Sequence, residues 1–183
     1  MKKVLILAIG MAVAAPSFAV FFESESNNSA ATANTISRIT GPWADIGIAA
    51  LNNGTDRDWF RVRLFAGEDF TAITTPRGNN DLSSPDTIMA LIGPNGTTIL
   101  TSNDDAGGLG SAVRFRITQT GDYFIAVTGF GAGDPSNINT YTGNTDHGKT
   151  GDYALTVSAV PEPATMAALG LGLAAFAARR RRK

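Results

Sequence analysis

The sequence predicts an all-β domain, an antiparallel sandwich or jelly roll, set between an N-terminal and a C-terminal apolar targeting segment. Three observations carry this. From Ala44 onward, short apolar runs alternate with polar residues at period two. Clusters of Gly, Asn, Asp and Pro separate the runs, and no stretch sustains a helical period. About eight strands, spaced by roughly eight to twelve residues, suit a sandwich better than a solenoid, with an open barrel as the alternative.

The chain opens with Lys2 and Lys3, an unbroken apolar run from Val4 to Ala15, and then Pro16, Ser17, Phe18 and Ala19. A basic end, a core too short to span comfortably and small residues at Ser17 and Ala19 describe a secretory signal peptide over 1–19, cut after Ala19 by signal peptidase. A buried amphipathic helix is disfavoured, because no polar residue interrupts the run to give it a wet face. Residues 20–34 follow as an acidic and polar leader, and residues 35–159 hold the sandwich.

Within that domain, Phe60, Val62 and Leu64 face one way while Arg61 and Arg63 face the other. Val113, Phe115 and Ile117 oppose Arg114 and Arg116. Tyr123, Ile125 and Val127 alternate with Phe124 and Ala126, and Tyr153, Leu155 and Val157 form the last set. Asn95-Gly96 lies between Ile88–Ile92 and Thr97–Leu100, where a hairpin needs residues tolerant of positive φ. Asn53-Gly54 stands similarly before the strand that starts near Asp58. The segments Gly121-Asp122-Tyr123 and Gly151-Asp152-Tyr153 repeat one another. Each tyrosine is expected to start its strand with the ring in the core and the hydroxyl near a backbone group.

The C-terminal segment, 160–183, runs through Val160-Pro161-Glu162-Pro163, an apolar stretch over 164–178, and a basic tail over 179–183. At about 1.5 Å per residue that stretch reaches ~22 Å against a hydrocarbon core of ~30 Å, a marginal span that snorkelling arginines and local thinning extend. The basic tail stays cytoplasmic, which puts the domain on the outer side, in agreement with the signal peptide. Val160-Pro161-Glu162-Pro163-Ala164-Thr165 with the helix and arginine run resembles the PEP-CTERM sorting signal of Gram-negative bacteria. That resemblance implies recognition by an exosortase at Pro161, Glu162 and Pro163, transient anchoring in the inner membrane, and release or transfer to the cell surface, often alongside exopolysaccharide. A plain tail anchor is the alternative.

Seven of the 15 basic residues lie in the targeting segments, so residues 20–160 keep 8 against 15 of the 16 acids, a net charge near −7. That argues against nucleic acid as a partner. The absence of cysteine excludes disulfides, a thiol nucleophile and a Cys-based zinc site. The single histidine, His147, sits in a Gly/Asn/Thr-rich loop, which disfavours a catalytic triad or a His-rich metal site.

Glu23-Ser24-Glu25-Ser26-Asn27-Asn28, Asp56-Arg57-Asp58-Trp59-Phe60, Asp86-Thr87-Ile88, Asn103-Asp104-Asp105 and Gly121-Asp122-Tyr123 together resemble the bacterial pre-peptidase C-terminal domain, over roughly residues 22–158. The family is a β-sandwich of jelly-roll type, usually a non-catalytic appendage of secreted proteases. In its calcium-binding relatives the acidic N-terminal segment and the aspartates before an aromatic strand supply the ligands. The resemblance therefore implies calcium at Glu23, Glu25, Asn27, Asn28, Asp56 and Asp58. Calcium wants hard oxygens from carboxylates and carbonyls, which these residues offer. The alternative is a disordered polar leader beside solvated turn residues. Asp104 and Asp105, before Ala106-Gly107-Gly108, form a second oxygen-rich loop, although no EF-hand frame is present.

The function expected is that of an exported, non-catalytic surface or extracellular-matrix module, associated with exopolysaccharide. Trp43, Phe130 and Tyr141, in or near loops, are the candidate aromatics for touching a glycan, with core or loop packing the favoured alternative for each. The rival is a secreted carbohydrate- or peptide-acting hydrolase using Asp104 and Asp105, which pair poorly if adjacent on a strand.

Overall fold

A computed structural model describes residues 17–39, 41–77, 85–161 and 172. Among the described residues, ten strands form two five-stranded sheets. In chain order they are β1 (Ser17–Phe22), β2 (Asn34–Ile36), β3 (Trp43–Leu51), β4 (Asp58–Leu64), β5 (Glu68–Pro76), β6 (Thr87–Ile92), β7 (Ile99–Asn103), β8 (Ala112–Arg116), β9 (Gly121–Gly129) and β10 (Gly151–Pro161). A one-turn helix, α1 (Ile138–Thr142), precedes β10. One sheet runs β1-β3-β10-β5-β8 and the other β2-β4-β9-β6-β7. The all-β sandwich expected from the alternation is the fold.

The chain is not uniformly antiparallel. β1 joins β3 and β2 joins β4 in parallel, while the other strand pairs are antiparallel. Parallel neighbours need a crossover, and here the crossover is a strand of the opposite sheet: β2 lies between β1 and β3, and β3 between β2 and β4. The segment expected to be a leader ahead of the domain therefore supplies the second half of one edge strand, β1, and the first residue of another, β2. Phe21 packs on the core, its ring edge-on to Phe60 with centroids 5.8 Å apart. After the expected cut at Ala19, only Val20, Phe21 and Phe22 remain as an apolar run, too short to register as a strand.

The core lies between the sheets. Phe60, Val62 and Leu64 of β4, Met89 and Leu91 of β6, and Tyr123, Ile125 and Val127 of β9 meet Leu51, Phe70, Val113, Tyr153, Leu155 and Val157. The parity expected for β4, β9 and β10 is observed on this side. β9 is also buried on its other face, because Phe124 and Ala126 join Trp59, Ile88, Ala90, Ile92, Ala132 and Tyr141 in a second cluster roofed by α1. The Trp59 Nε1–H donates to Tyr141 O at 3.0 Å, which fixes that roof to β4.

The hairpin around Asn95-Gly96 is present between β6 and β7, with a longer loop than a two-residue turn. Gly96 adopts φ 72° and its N–H donates to Gly93 O at 2.9 Å, while Asn95 Oδ1 accepts from the N–H groups of Thr97 and Thr98.

Among the described residues no helix is long and apolar enough to cross a membrane. The apolar run 4–15, the apolar run 164–178 apart from Gly172, the basic tail 179–183, and Glu162 and Pro163 lie outside the described residues. Ala19 lies within β1 and Pro161 closes β10.

Candidate functional site: a carboxylate cluster at the end of the sandwich

Strand β4 is entered through Asp56-Arg57-Asp58-Trp59, and the period of two sends alternate side chains to opposite faces. Asp58 shares the inward face with Phe60. Arg57 and Trp59 face outward to the segment around α1. The segment after β1 runs back over the end of the sandwich, held by Glu23 N–H donating to Ile48 O at 3.1 Å and by Trp59 N–H donating to Asn27 O at 3.0 Å.

These two segments bring Glu23, Glu25 and Asp58 together, with one carboxylate oxygen of each within 4.8 Å of the others. Glu23 Oε2 accepts from Ala50 N–H at 2.8 Å, and Glu23 Oε1 accepts from the Asn27 amide at 2.8 Å. Glu25 Oε1 accepts from the Asn52 amide at 2.5 Å. Asp58 Oδ2 accepts from the Tyr153 hydroxyl at 2.6 Å. Asp58 and Asn27 are completely buried; Asn27 Oδ1 has no hydrogen-bond partner, and Asp58 Oδ1 has none while Asp58 is ionised, whereas a protonated Asp58 bonds to the Glu23 carboxylate. No Lys or Arg forms an ion pair with Glu23, Glu25 or Asp58 among the described residues.

The electrostatics follow from that arrangement. Burial pushes the Asp58 carboxyl well above the usual carboxylate range; the neighbouring Glu23 pushes the same way and the Tyr153 hydrogen bond opposes it. Glu25 is also raised, first by burial and then by the Asp56 and Glu23 charges, against the Asn52 bond. The three carboxyl groups and the bare amide oxygen of Asn27, with no countercharge among the described residues, are a donor set of hard oxygens suited to a calcium ion.

Of the six residues expected at this site, Asp56 and Asn28 stand one layer behind. Asp56 Oδ2 accepts from Asn52 N–H at 2.6 Å and Oδ1 from Arg57 N–H at 3.0 Å, closing the turn before β4. With its amide turned so that the nitrogen faces these acceptors, Asn28 donates to Arg57 O at 2.8 Å and to Asp56 Oδ1 at 3.0 Å. Tyr153 was not legible as a site residue. Its repeat partner Tyr123 does donate to a backbone carbonyl, Gln119 O at 2.7 Å, whereas the Tyr153 hydroxyl meets the acid. The repeated Gly-Asp-Tyr corner marks both tyrosines but not which end of the sandwich each one reaches.

Arg57 and His147 support the site from outside. Arg57 is buried and its guanidinium donates to the carbonyls of Thr55, Thr140 (3.2 Å) and Thr145 (2.8 Å). His147 Nδ1 accepts from Lys149 N–H at 3.0 Å, so the proton sits on Nε2, which faces Asp56 O at 3.2 Å. Burial lowers the His147 pKa, keeping the ring neutral. Both residues lock the segment around α1 onto the entrance of β4.

A second acidic group, Asp86, Asp104 and Asp105, also places carboxylate oxygens within 4.8 Å of one another. The loop after β7 allows the adjacent pair to converge, which a strand would not. Lys149 Nζ lies 3.4 Å from Asp86 Oδ2, so this group has a cation of its own. Of the three aromatics considered for glycan contact, Trp43 and Tyr141 are buried in the cores and Phe130 is half exposed, with Lys149 Nζ 5.9 Å from its ring centroid.

Residues 159–182 match the PEP-CTERM protein-sorting motif, and residues 56–129 match the bacterial pre-peptidase C-terminal domain. No curated protein is a significant match. Among solved structures, the chain is similar to Aeromonas hydrophila PliG, a periplasmic lysozyme inhibitor of g-type lysozyme, at 13% identity and TM-score 0.47 over 78% of this chain and 99% of that one. It is similar to the pre-peptidase C-terminal domain of a Bacillus anthracis collagenase at 14% identity and TM-score 0.42, over 69% and 93%. Salmonella Typhimurium PliG gives 16% identity and TM-score 0.39, over 68% and 95%.

Proposed function

We propose that this chain, an exported protein by its sorting motif, is a non-catalytic surface or extracellular-matrix module whose sandwich is completed by calcium. Its tail is read as a membrane helix over 164–178 that anchors the protein until an exosortase acts at Pro161-Glu162-Pro163. Exopolysaccharide is the partner that such a tail implies, and the half-exposed Phe130 would be the aromatic to touch it.

One observation carries the calcium reading: Asn27 Oδ1, and Asp58 Oδ1 while Asp58 is ionised, are buried without partners beside the carboxylates of Glu23 and Glu25. An unmade hydrogen bond at a buried polar atom costs about 1–3 kcal/mol, more for a charged one. A divalent cation removes that cost at both atoms and neutralises the acids. Glu23, Glu25, Asp58 and Asn27 would hold the ion, with Asp56, Asn28, Asn52 and Tyr153 fixing their positions. In a domain without disulfides the ion also ties the first segment to β4, so binding adds stability by mass action.

The test is thermal unfolding of the mature protein in millimolar calcium and in chelator, repeated for Glu25→Gln and Asp58→Asn. A midpoint raised by calcium in the wild type and not in either variant supports the reading. A midpoint indifferent to calcium removes the ion and leaves a metal-free surface scaffold.

A further inference from the structure

Asp45, near the start of β3, is 2% exposed and belongs to neither acidic cluster. Its Oδ1 accepts the Ala19 N–H at 2.6 Å. Among the described residues no Lys or Arg forms an ion pair with it. Arg38 lines the same 210 Å³ cavity as Asp45, Ala19 and Trp43, but its guanidinium is committed to Glu68 at 2.8 and 2.9 Å. The β10 residues opposite, Thr156, Val157 and Ser158, carry no charge. Asp45 is thus a buried carboxylate served by a backbone amide.

We propose that Asp45 is the receptor for the N-terminus created by signal-peptide removal, so that cutting after Ala19 and closure of β1 over β3 are linked. The inference rests on the reading that the cut falls there. In the paired strand Ala19 sits opposite Asp45 and Val20 opposite Ile46. The Ala19–Val20 bond is therefore inside a ladder, whereas a peptidase needs an extended, unpaired substrate, and the cut precedes pairing. Hydrolysis adds water across that amide: Ala19 departs as a carboxylate with the signal segment, and Val20 keeps an amine that takes up a proton at neutral pH.

The cut removes the Ala19 N–H, and supplies a cation in its place. One residue step is at most about 3.8 Å, so the new ammonium starts within ~6.4 Å of Asp45 Oδ1 and reaches it by a small swing of a freed end. Phe21 holds the register during that swing. Its ring occupies the space a side chain would fill at Gly47, where an added Cβ would lie 2.1 Å from Phe21 Cε2.

Intact mass of the exported protein fixes the N-terminus first. Two measurements on the chain that starts at Val20 then test the pairing. Acylation of the Val20 amine at pH 7 is expected to run at least tenfold slower than in an unfolded peptide of the same start. The unfolding midpoint is expected to fall as pH rises past ~8, because an amine whose folded pKa is raised stabilises below its unfolded pKa and loses that contribution above. Asp45→Asn flattens the alkaline fall. A mature start other than Val20 overturns the cleavage reading and this proposal with it. A Val20 start with peptide-like acylation, or an alkaline fall that persists in Asp45→Asn, overturns the receptor alone; should that variant not fold, the acylation rate decides.

Discussion

The Tyr153 hydroxyl donates to Asp58 Oδ2 at 2.6 Å, joining the last strand to the first acid of β4 across 95 positions of sequence. Tyr153 is fully buried, and the charges of Asp58 and Glu23 add to burial in holding its hydroxyl protonated. The bond is therefore a fixed donor aimed at a carboxylate, and it leaves the other oxygen of Asp58 facing the cluster.

Tyr153→Phe removes that donor and keeps the ring. In chelator the variant should lose about 1–3 kcal/mol, as expected for stranding a buried acceptor. Tyr123→Phe, whose hydroxyl serves Gln119 O at a part-buried position, should lose about 0.5–1.5 kcal/mol. Urea unfolding of the two variants side by side measures the difference, and equal losses would mean the Asp58 contact is not special.

The raised pKa of Asp58 makes a signed statement about pH. A carboxyl whose folded pKa lies above its unfolded value stabilises fully below the unfolded value, about 4, and loses that contribution as pH rises through the folded one. Metal-free protein should therefore lose Asp58-dependent stability from about pH 4 upward. His147 works oppositely, since its lowered pKa contributes above about 6.5 and is lost as pH falls. The difference between wild type and Asp58→Asn, followed in urea from acid to neutral pH, isolates Asp58. With calcium the slope should reverse, because the ion requires the ionised acids.

Alternation made the inward residues of β4, β9 and β10 legible, because a half-buried strand writes its geometry at period two. β9's burial on both faces was not, since the roof over Phe124 and Ala126 comes from Ala132 in a loop and Tyr141 in the one-turn α1, a segment too short to show a periodicity of its own. Glu23, Glu25 and Asp58 could be grouped because a family resemblance aligned them. That Asp56 stands behind is a matter of one turn, in which Asn52 and Arg57 take its oxygens. The parallel edges made by β1 and β2 depend on which sheet each segment crosses to, and a chain read locally holds no signal for that.

Arg38 and Glu68 form a buried ion pair, their side chains only 2% and 4% exposed. The carboxylate also accepts from Phe65 N–H at 2.9 Å, and Arg38 stacks over Trp43 and Phe65 with centroids 5.1 and 5.2 Å away. Arg38→Met strands the acid and should cost about 3–5 kcal/mol, whereas Arg38→Met with Glu68→Gln should recover part of that loss. A double-mutant cycle by denaturant unfolding reads the coupling. An additive result would place the value of Arg38 in its ring contacts instead.

Gly47 leaves room for Phe21, and Phe21 leads within two residues to Glu23, whose N–H is held by Ile48 O. A methyl group at Gly47 would meet Phe21 Cε2 at 2.1 Å, so Gly47→Ala must expel the ring or shift β1. Overpacking of this kind costs about 1–3 kcal/mol. The same displacement loosens the segment that carries Glu23 and Glu25, so calcium affinity should fall with stability. Phe21→Ala separates the two effects: it loses packing without the clash and should weaken calcium less than Gly47→Ala. Calorimetric titration of calcium into each variant, beside its urea midpoint, reads both quantities. Unchanged affinity in Gly47→Ala would mean that the acidic segment is positioned by its own contacts at Ala50, Asn52 and Trp59, independently of β1.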